Sequence, residues 1–419
     1  MNVSGGRHGF GNGDGGTGMA DVEQEAAGTG EKRVTWAEAF FDLVFVFAIT
    51  QISGLLHEDH GGGGLLRALV VFIPVYWCWV GTTVRANVRD VDNPAGRLGI
   101  FAVGLSGLFM ALALPDAYGE RGLLYGAAYW AARLVLFGAM ISINGVWRGP
   151  YGIGAAISGP LLLAGGLLDG HPRLVLWAVA ALVDLAGPTV LRSRLAVVAY
   201  HPGHLPERFG LLVLVALGES IVGTGAPVAA GRSLSGAELL AVAAAFTISC
   251  GLWWLYFVHA SEAMRYAVTV AASRRDVIRR VFSYAHLVLV AGVIAVAVGF
   301  NETVARPGLA LDPGTAGLLY GGCALYLATF GYTRWIMFRA VASTRLVAAA
   351  VLLALLPVVV RLPALGALVA LAVLLAALNL VEHLRIGRAA RRAAQRERPA
   401  GEGAVQTPAE QRCPAPELA

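Results

Sequence analysis

Stretches of about 17 to 22 consecutive apolar residues, separated by short segments that carry Gly, Pro and charge, recur along almost the whole chain. At about 1.5 Å of rise per residue such a stretch matches the ~30 Å hydrocarbon core of a bilayer. The pattern predicts about twelve spans, at roughly 38–56, 65–84, 97–114, 122–144, 152–168, 173–191, 209–230, 237–258, 281–300, 316–336, 345–360 and 363–384. The fifth and eleventh are the shortest. The expected fold class is an all-α polytopic membrane protein.

The distribution of positive charge supplies an independent test of that count, because Arg and Lys collect in segments on the cytoplasmic side. Alternate segments carry Lys32 and Arg33; Arg85, Arg89 and Arg97; Arg148; Arg192, Arg194 and Arg208; Arg265, Arg274, Arg275, Arg279 and Arg280; Arg334, Arg339 and Arg345; and the tail from Arg385. The intervening ones hold Arg67, Arg121, Arg173, Arg232, Arg306 and Arg361, one each. Both termini are therefore expected on the cytoplasmic side. The net charge of +5 follows from this topology and from attraction to anionic lipid, so membrane lipids are expected partners and nucleic acid is not.

Composition agrees: the 419 residues are 57% hydrophobic and 14% charged. Residues 1–34 are Gly-rich and polar, which predicts a disordered cytoplasmic tail with Met19 as an alternative start. Residues 386–419 read as a basic segment running into a second disordered tail. Cys78, Cys250, Cys323 and Cys413 form neither a disulfide framework nor a zinc pattern.

Self-comparison shows a duplication. "EAFFDLVFVFAITQIS" from Glu38 aligns without a gap against "ERFGLLVLVALGESIV" from Glu207, which sets Thr50 and Gln51 opposite Glu219 and Ser220. "LLRALVVFIPVYWCW" then resembles "LLAVAAAFTISCGLWW", and "GLLYG" at 122 recurs at 317. Matches in this order predict two parallel six-helix repeats, 35–192 and 193–385, related by an axis along the membrane normal.

Ionisable residues within the spans are the candidate chemistry, since each costs several kcal/mol unless paired, solvated or protonated. Glu38 and Asp42 lie one turn apart at the start of span 1, near the positive end of the helix dipole. They read either as a cap pairing with Arg85 or Arg208, or as a relay for protons or cations. Glu219 falls mid-span in "LGESIVGTG" beside Ser220, where it reads either as a transport site or as one half of a structural bridge to Arg133. Asp184 is a further relay carboxylate or a partner of Arg133, and Pro188 beyond it suggests a kink. His286 stands one turn inside span 9 and reads as an interface histidine or a proton shuttle. "HEDHGGGG" at 57–64 offers metal-ligand residue types, but in a short outer loop without a second cluster to fix a geometry, so no metal site is expected. There is no P-loop, dinucleotide fingerprint, nucleophile elbow or HExxH, so no enzyme and no cofactor are expected.

"WAEAFFDLVFVFAITQIS", "WVGTTVRANVRDVD", "HLPERFGLLVLVALGESIVGTG", "WWLYF" and "YAHLVLVAGV" resemble, in this order, the signature segments of the bacterial low-temperature-requirement A (LtrA) family. The resemblance covers about residues 34–385. It places the family pattern on Glu38, Phe41, Asp42, Asn87, Asp90, Asp92, Glu207, Arg208, Gly218, Glu219, Ser220, Trp254, Tyr256 and His286, with Asn87, Asp90, Asp92, Glu207 and Arg208 as a cytoplasmic motif. Val88, Arg89 and Val258 depart from it. The resemblance implies the bacterial cytoplasmic membrane and implies no reaction. "EAFFDLVFVFAIT" is also similar to the first-helix pattern of six-span-repeat potassium channels, with Trp36 where those carry an Arg.

The expected function is a transporter or channel-like protein for an ion, proton or small solute, its site formed by Glu219, Arg133, Asp184 and the span 1 carboxylates. The alternatives are a non-transporting scaffold or sensor and an intramembrane lipid-handling enzyme. Self-association into a homo-oligomer is left open.

Overall fold

The computed structural model describes residues 32–141, 148–192, 200–229, 234–270 and 274–397. Met19, Arg194, Arg232, Cys413 and most of both expected tails lie outside these. Helices are α1 (Trp36–Glu58), α2 (Gly62–Val88), α3 (Pro94–Ala113), α4 (Gly122–Met140), α5 (Pro150–Ile153, continued through Gly154–Ser158 and Gly159–Gly166), α6 (Gly170–Val190) and α7 (His204–Ala229). They continue as α8 (Gly236–Thr269), α9 (Ile278–Ala305), α10 (Pro313–Ala316, Gly317–Gly321 and Gly322–Phe338), α11 (Ser343–Val359) and α12 (Ala364–Glu397).

Among the described residues nine helices are long and apolar enough to cross a membrane, which makes the chain an all-α polytopic bundle of membrane type. The stretches expected as spans five, ten and eleven are helical but fall outside that set. α5 is broken into short pieces by a wide π turn, the uninterrupted part of α10 is 17 residues long and polar at Thr329, Thr333 and Arg334, and α11 is 17 residues long.

Helix starts follow local chemistry. Thr35 caps α1 in a reciprocal box with Glu38, and Ser235 does the same for α8 with Glu238. Asn93 caps α3 with Pro94 as its first residue, and Asp312 caps α10 ahead of Pro313.

Neighbour relations repeat along the chain. α1 packs on α2 and α3, α3 on α4, α4 on α5, α5 on α6, and α6 back on α2. In the same way α7 packs on α8 and α9, α9 on α10, α10 on α11, α11 on α12, and α12 back on α8. The two sets meet where α1 touches α7 and α9, and where α2 touches α7. The two copies of "GLLYG" are not used alike: Tyr125 donates its hydroxyl to the Val71 carbonyl of α2, Tyr320 to Ala367 of α12.

Without water in a bilayer core, displaced backbone carbonyls need side-chain donors. The π turns supply such carbonyls and find them. Trp130 donates to Ala155, Tyr76 to Ser283, and Arg345 to Leu255. Small residues bring helices close: a Cβ on Gly292 of α9 would lie 2.9 Å from the Gly322 carbonyl of α10.

Candidate functional site

The structure distributes the candidate residues over separate groups. At the arginine-rich end of the bundle, Arg208 of α7 reaches α1. Its Nη1 donates to Asp42 Oδ2 at 2.6 Å and to the Glu38 carbonyl at 3.2 Å, and its Nη2 donates to Asp42 Oδ1 at 2.8 Å. Trp79 of α2 donates to Asp42 Oδ1 at 2.8 Å and stacks its ring beneath the same guanidinium, 5.2 Å from centroid to Cζ. Asn87 Nδ2 donates to the His201 carbonyl and lies 3.4 Å from His204 Nδ1, so that nitrogen is the acceptor. His204 Nε2–H is thereby aimed at Glu38 Oε1, 3.0 Å away. Glu38, His204 and Arg208 are all fully buried. Two carboxylates, one guanidinium and one imidazole thus close a dry clamp between α1, α2 and α7.

Lys32, just before α1, covers the C-terminal carbonyls of α2, donating to Asn87 at 3.3 Å, to Arg89 at 2.6 Å and to Ala86. Burial holds its ammonium below the usual lysine value, against the opposing pull of Glu38 and Asp90. His201 is likewise held below the usual imidazole value, by burial first and then by the positive charge of Lys32. Asp90, Asp92 and Glu207 of the family pattern lie outside the clamp. Asp90 accepts from the Asp92 amide, Asp92 pairs with Arg97 in solvent, and Glu207 is exposed.

A second group lies within α4, α5 and α6. Asp184 accepts from Ser158 at 2.9 Å and from Tyr129, and stands 3.6 Å from Arg133 Nη2. Arg133 also donates to the Pro150 carbonyl at 3.0 Å, while its Nε is buried without a partner. Gly154 makes room for it, since a Cβ there would lie 1.9 Å from Nη2. A cavity of about 100 Å³ opens beside Arg133, walled by Trp77, Gly81, Tyr151, Arg192 and Arg279 among others.

Glu219 joins neither group. It sits in the middle third of α7, 5% exposed, with no cation within 4 Å among the described residues. The bridge to Arg133 that the sequence allowed is not formed. Its neighbour is Thr50 of α1, whose Oγ1 lies 2.6 Å from Glu219 Oε2 and 3.1 Å from the Val46 carbonyl. The buried Ser53 hydroxyl faces the same carboxylate as a second hydroxyl neighbour, outside ordinary hydrogen-bond geometry. Asp42 lies eight residues from Thr50, about 12 Å along α1. Ser220 turns to the other side, where it pairs with Ser249 of α8 at 2.9 Å.

The charge inventory separates Glu219 from the rest. Among the described residues five carboxylates are buried: Glu38, Asp42, Asp184, Glu219 and Glu382. Four of them have a guanidinium within 4 Å, the fourth being Glu382, gripped at both oxygens by Arg345. Among these five, Glu219 alone has only hydroxyl neighbours, Thr50 and Ser53.

His286 is fixed. Its Nδ1 lies 2.8 Å from the Val281 carbonyl, which can only accept, so Nε2 is the acceptor for the Tyr256 hydroxyl at 2.9 Å. Phe282 stacks on its ring at 5.4 Å. Both nitrogens are thus held, and the ring lies fully buried among Phe209, Tyr256 and Phe282.

Sequence reasoning missed Trp79, Tyr129, Ser158 and the pair Arg345–Glu382 as partners. An arginine and an acid at span ends on α11 and α12 are a visible signal for that pair. The Trp and Tyr were hidden by their usual role as interfacial anchors.

Residues 33–380 match the family described as bacterial low temperature requirement A protein. The chain is also 31% identical over 296 residues to an uncharacterized protein of Rhizobium meliloti (strain 1021), covering 67% of this chain and 71% of the relative. No solved structure matches it.

Proposed function

The chain belongs to the bacterial low temperature requirement A family, and from that premise we propose that this multi-pass membrane protein is a transporter or channel-like protein whose Glu219 takes up and releases a proton or cation. The observation that carries the reading is the contrast among the buried carboxylates. An ionised carboxylate at mid-bilayer costs roughly 2.5 to 3.5 kcal/mol on insertion scales. Four are stabilised by guanidinium groups; among the described residues Glu219 has only hydroxyl neighbours, Thr50 at 2.6 Å and Ser53 beside it. A residue needed only to lock helices would be paired like the other four.

The hydroxyl of Thr50 has one proton and two acceptors in reach. With Glu219 ionised, that proton goes to the carboxylate and the Val46 contact is lost. With Glu219 protonated, the acid donates to Thr50 Oγ1 and Thr50 donates to the Val46 carbonyl, so both contacts are made. Two hydrogen-bonded states differing by one proton are what a proton carrier requires.

The two-repeat architecture of about twelve helices supports this placement. The neighbour sets of α1–α6 and α7–α12 correspond, and Thr50 and Glu219 are the positions the alignment sets opposite each other. Equivalent positions touch only near a twofold axis, and repeat interfaces at the midplane are where secondary transporters bind their ions. We place both termini in the cytoplasm and leave the solute unnamed. Purified protein in liposomes, screened for flux of protons, alkali cations and small anions, tests the reading; rates equal to those of empty liposomes for every species would overturn it.

A scaffold or sensor is the second reading, favoured by the buried Glu38–Asp42–His204–Arg208 clamp, which joins α1 to α7. Strong coupling across the clamp together with absent flux would select it.

A further inference from the structure

We infer that His57, His60 and Glu302 form a binding site for a divalent transition-metal ion, with Zn²⁺ the ion best suited to the donor set, at the arginine-poor end of the bundle. His57 lies in the last turn of α1, His60 two residues past its end, and Glu302 one turn before the end of α9. One ligand atom from each of the three lies within 4.8 Å of the other two, and among the described residues no other group of three His, Cys, Asp or Glu does this. The separation in sequence between His60 and Glu302 is why the loop "HEDHGGGG" alone looks incomplete: its third ligand comes from the other half of the chain.

The local fold builds the site. Asp59 takes an extended conformation that ends α1 and folds His60 back, so the two imidazole centroids are 5.9 Å apart. The turn needs its glycines, because a Cβ on Gly64 would lie 2.0 Å from the Asp59 carbonyl oxygen. Gly314, at the start of α10, packs against the back of His60, where a Cβ would come within 2.9 Å of the His60 Cβ.

The donor atoms are oriented and available. Glu302 Oε1 faces His57 Nδ1 at 3.4 Å, while its Oε2 faces Arg306 Nη2 at 3.4 Å. Arg306 thus holds one carboxylate oxygen and leaves the other toward the histidines, the role an outer-shell group plays at metal sites. His60 Nε2 is buried and has no hydrogen-bond partner, which is costly in the absence of a ligand. Zinc–ligand bonds of about 2.0 to 2.2 Å require ligand atoms about 3.4 Å apart in a tetrahedron, so the group closes by roughly an ångström around the ion. Two imidazoles and one carboxylate leave one position for water or a substrate group, and they favour zinc over the oxygen-seeking Mg²⁺ and Ca²⁺. Because α1 and α9 belong to different halves, a bound ion staples the halves at the end opposite the Glu38–Arg208 clamp.

The test uses untagged full-length protein in nanodiscs, titrated with Zn²⁺ alone and followed by calorimetry and by metal analysis after desalting. The expected result is saturable uptake of one Zn²⁺ per chain, at least about tenfold weaker in His60→Ala and in Glu302→Gln, with no comparable uptake of Mg²⁺ or Ca²⁺. Wild-type protein also melts at a higher temperature with Zn²⁺ than with a chelator, a readout that needs no variant. Absence of saturable Zn²⁺ uptake by the wild type, or uptake and melting shift unchanged in both variants, overturns the site.

Discussion

Thr50 Oγ1 and Glu219 Oε2 lie 2.6 Å apart, at positions that alignment of the first helix with the seventh sets opposite each other. The contact joins two helices midway along α7 through a carboxylate that has no cation within 4 Å among the described residues, and it is where stability and function should part company.

Replacing Glu219 by Gln removes a buried ionisable group and strands no cation among the described residues. The expected change in unfolding free energy is below about 1 kcal/mol, in contrast with the effect of breaking a buried pair. Detergent unfolding of Glu219→Gln measures it; a loss of several kcal/mol would mean that Glu219 is a structural partner after all.

Arg208→Ala strands Asp42 and Glu38 in a dry site and should cost about 3 to 5 kcal/mol. Adding Asp42→Asn should recover part of this, with a coupling energy of about 0.5 to 3 kcal/mol in a double-mutant cycle. Additive losses in the same unfolding assay would show that the clamp seen between α1 and α7 does not act as a unit.

Gly154→Ala places a Cβ 1.9 Å from the Arg133 guanidinium, so the Arg133–Asp184 contact must break or α5 must shift. We expect a marked drop in thermal stability. Gly138→Ala, which meets nothing within 4 Å, should raise stability by about 0.5 to 1 kcal/mol. Equal behaviour of the two variants in a melting experiment would contradict the packing around Arg133.

Tyr256→Phe deprives His286 Nε2 of its donor and should destabilise by about 1 to 3 kcal/mol. Tyr332→Phe, at an exposed position, should change stability by no more than about 0.5 kcal/mol. The pair, compared by chemical unfolding, tests whether the histidine cage is a packing element.

Hydropathy made the helices legible because length and apolarity are local properties; α5 and α11 came out short where the apolar runs were shortest, whereas the π turn and the polar Thr329, Thr333 and Arg334 of α10 interrupt a run of ordinary length. The side-chain partners were less legible. The sequence allowed Arg85 or Arg208 for the first-helix carboxylates, and only the packing of α1 on α7 selects Arg208. Arg85 instead lies buried beneath Gly99, with Nε and Nη1 unpartnered. The choice of Asp184 over Glu219 for Arg133 likewise depends on α4, α5 and α6 packing together in one half. Glu302 could not be joined to His57 and His60 from sequence, since nothing local reports a contact between the end of α1 and the end of α9.

The most direct test of the central claim is dissipation of an imposed pH gradient by liposomes carrying the wild-type protein or Glu219→Gln, at matched incorporation and matched melting temperature. Wild-type protein is expected to collapse the gradient in the presence of its conducted ion or solute, and Glu219→Gln to leave it standing. A gradient that decays equally fast with both proteins, each above the rate of empty liposomes, would contradict it.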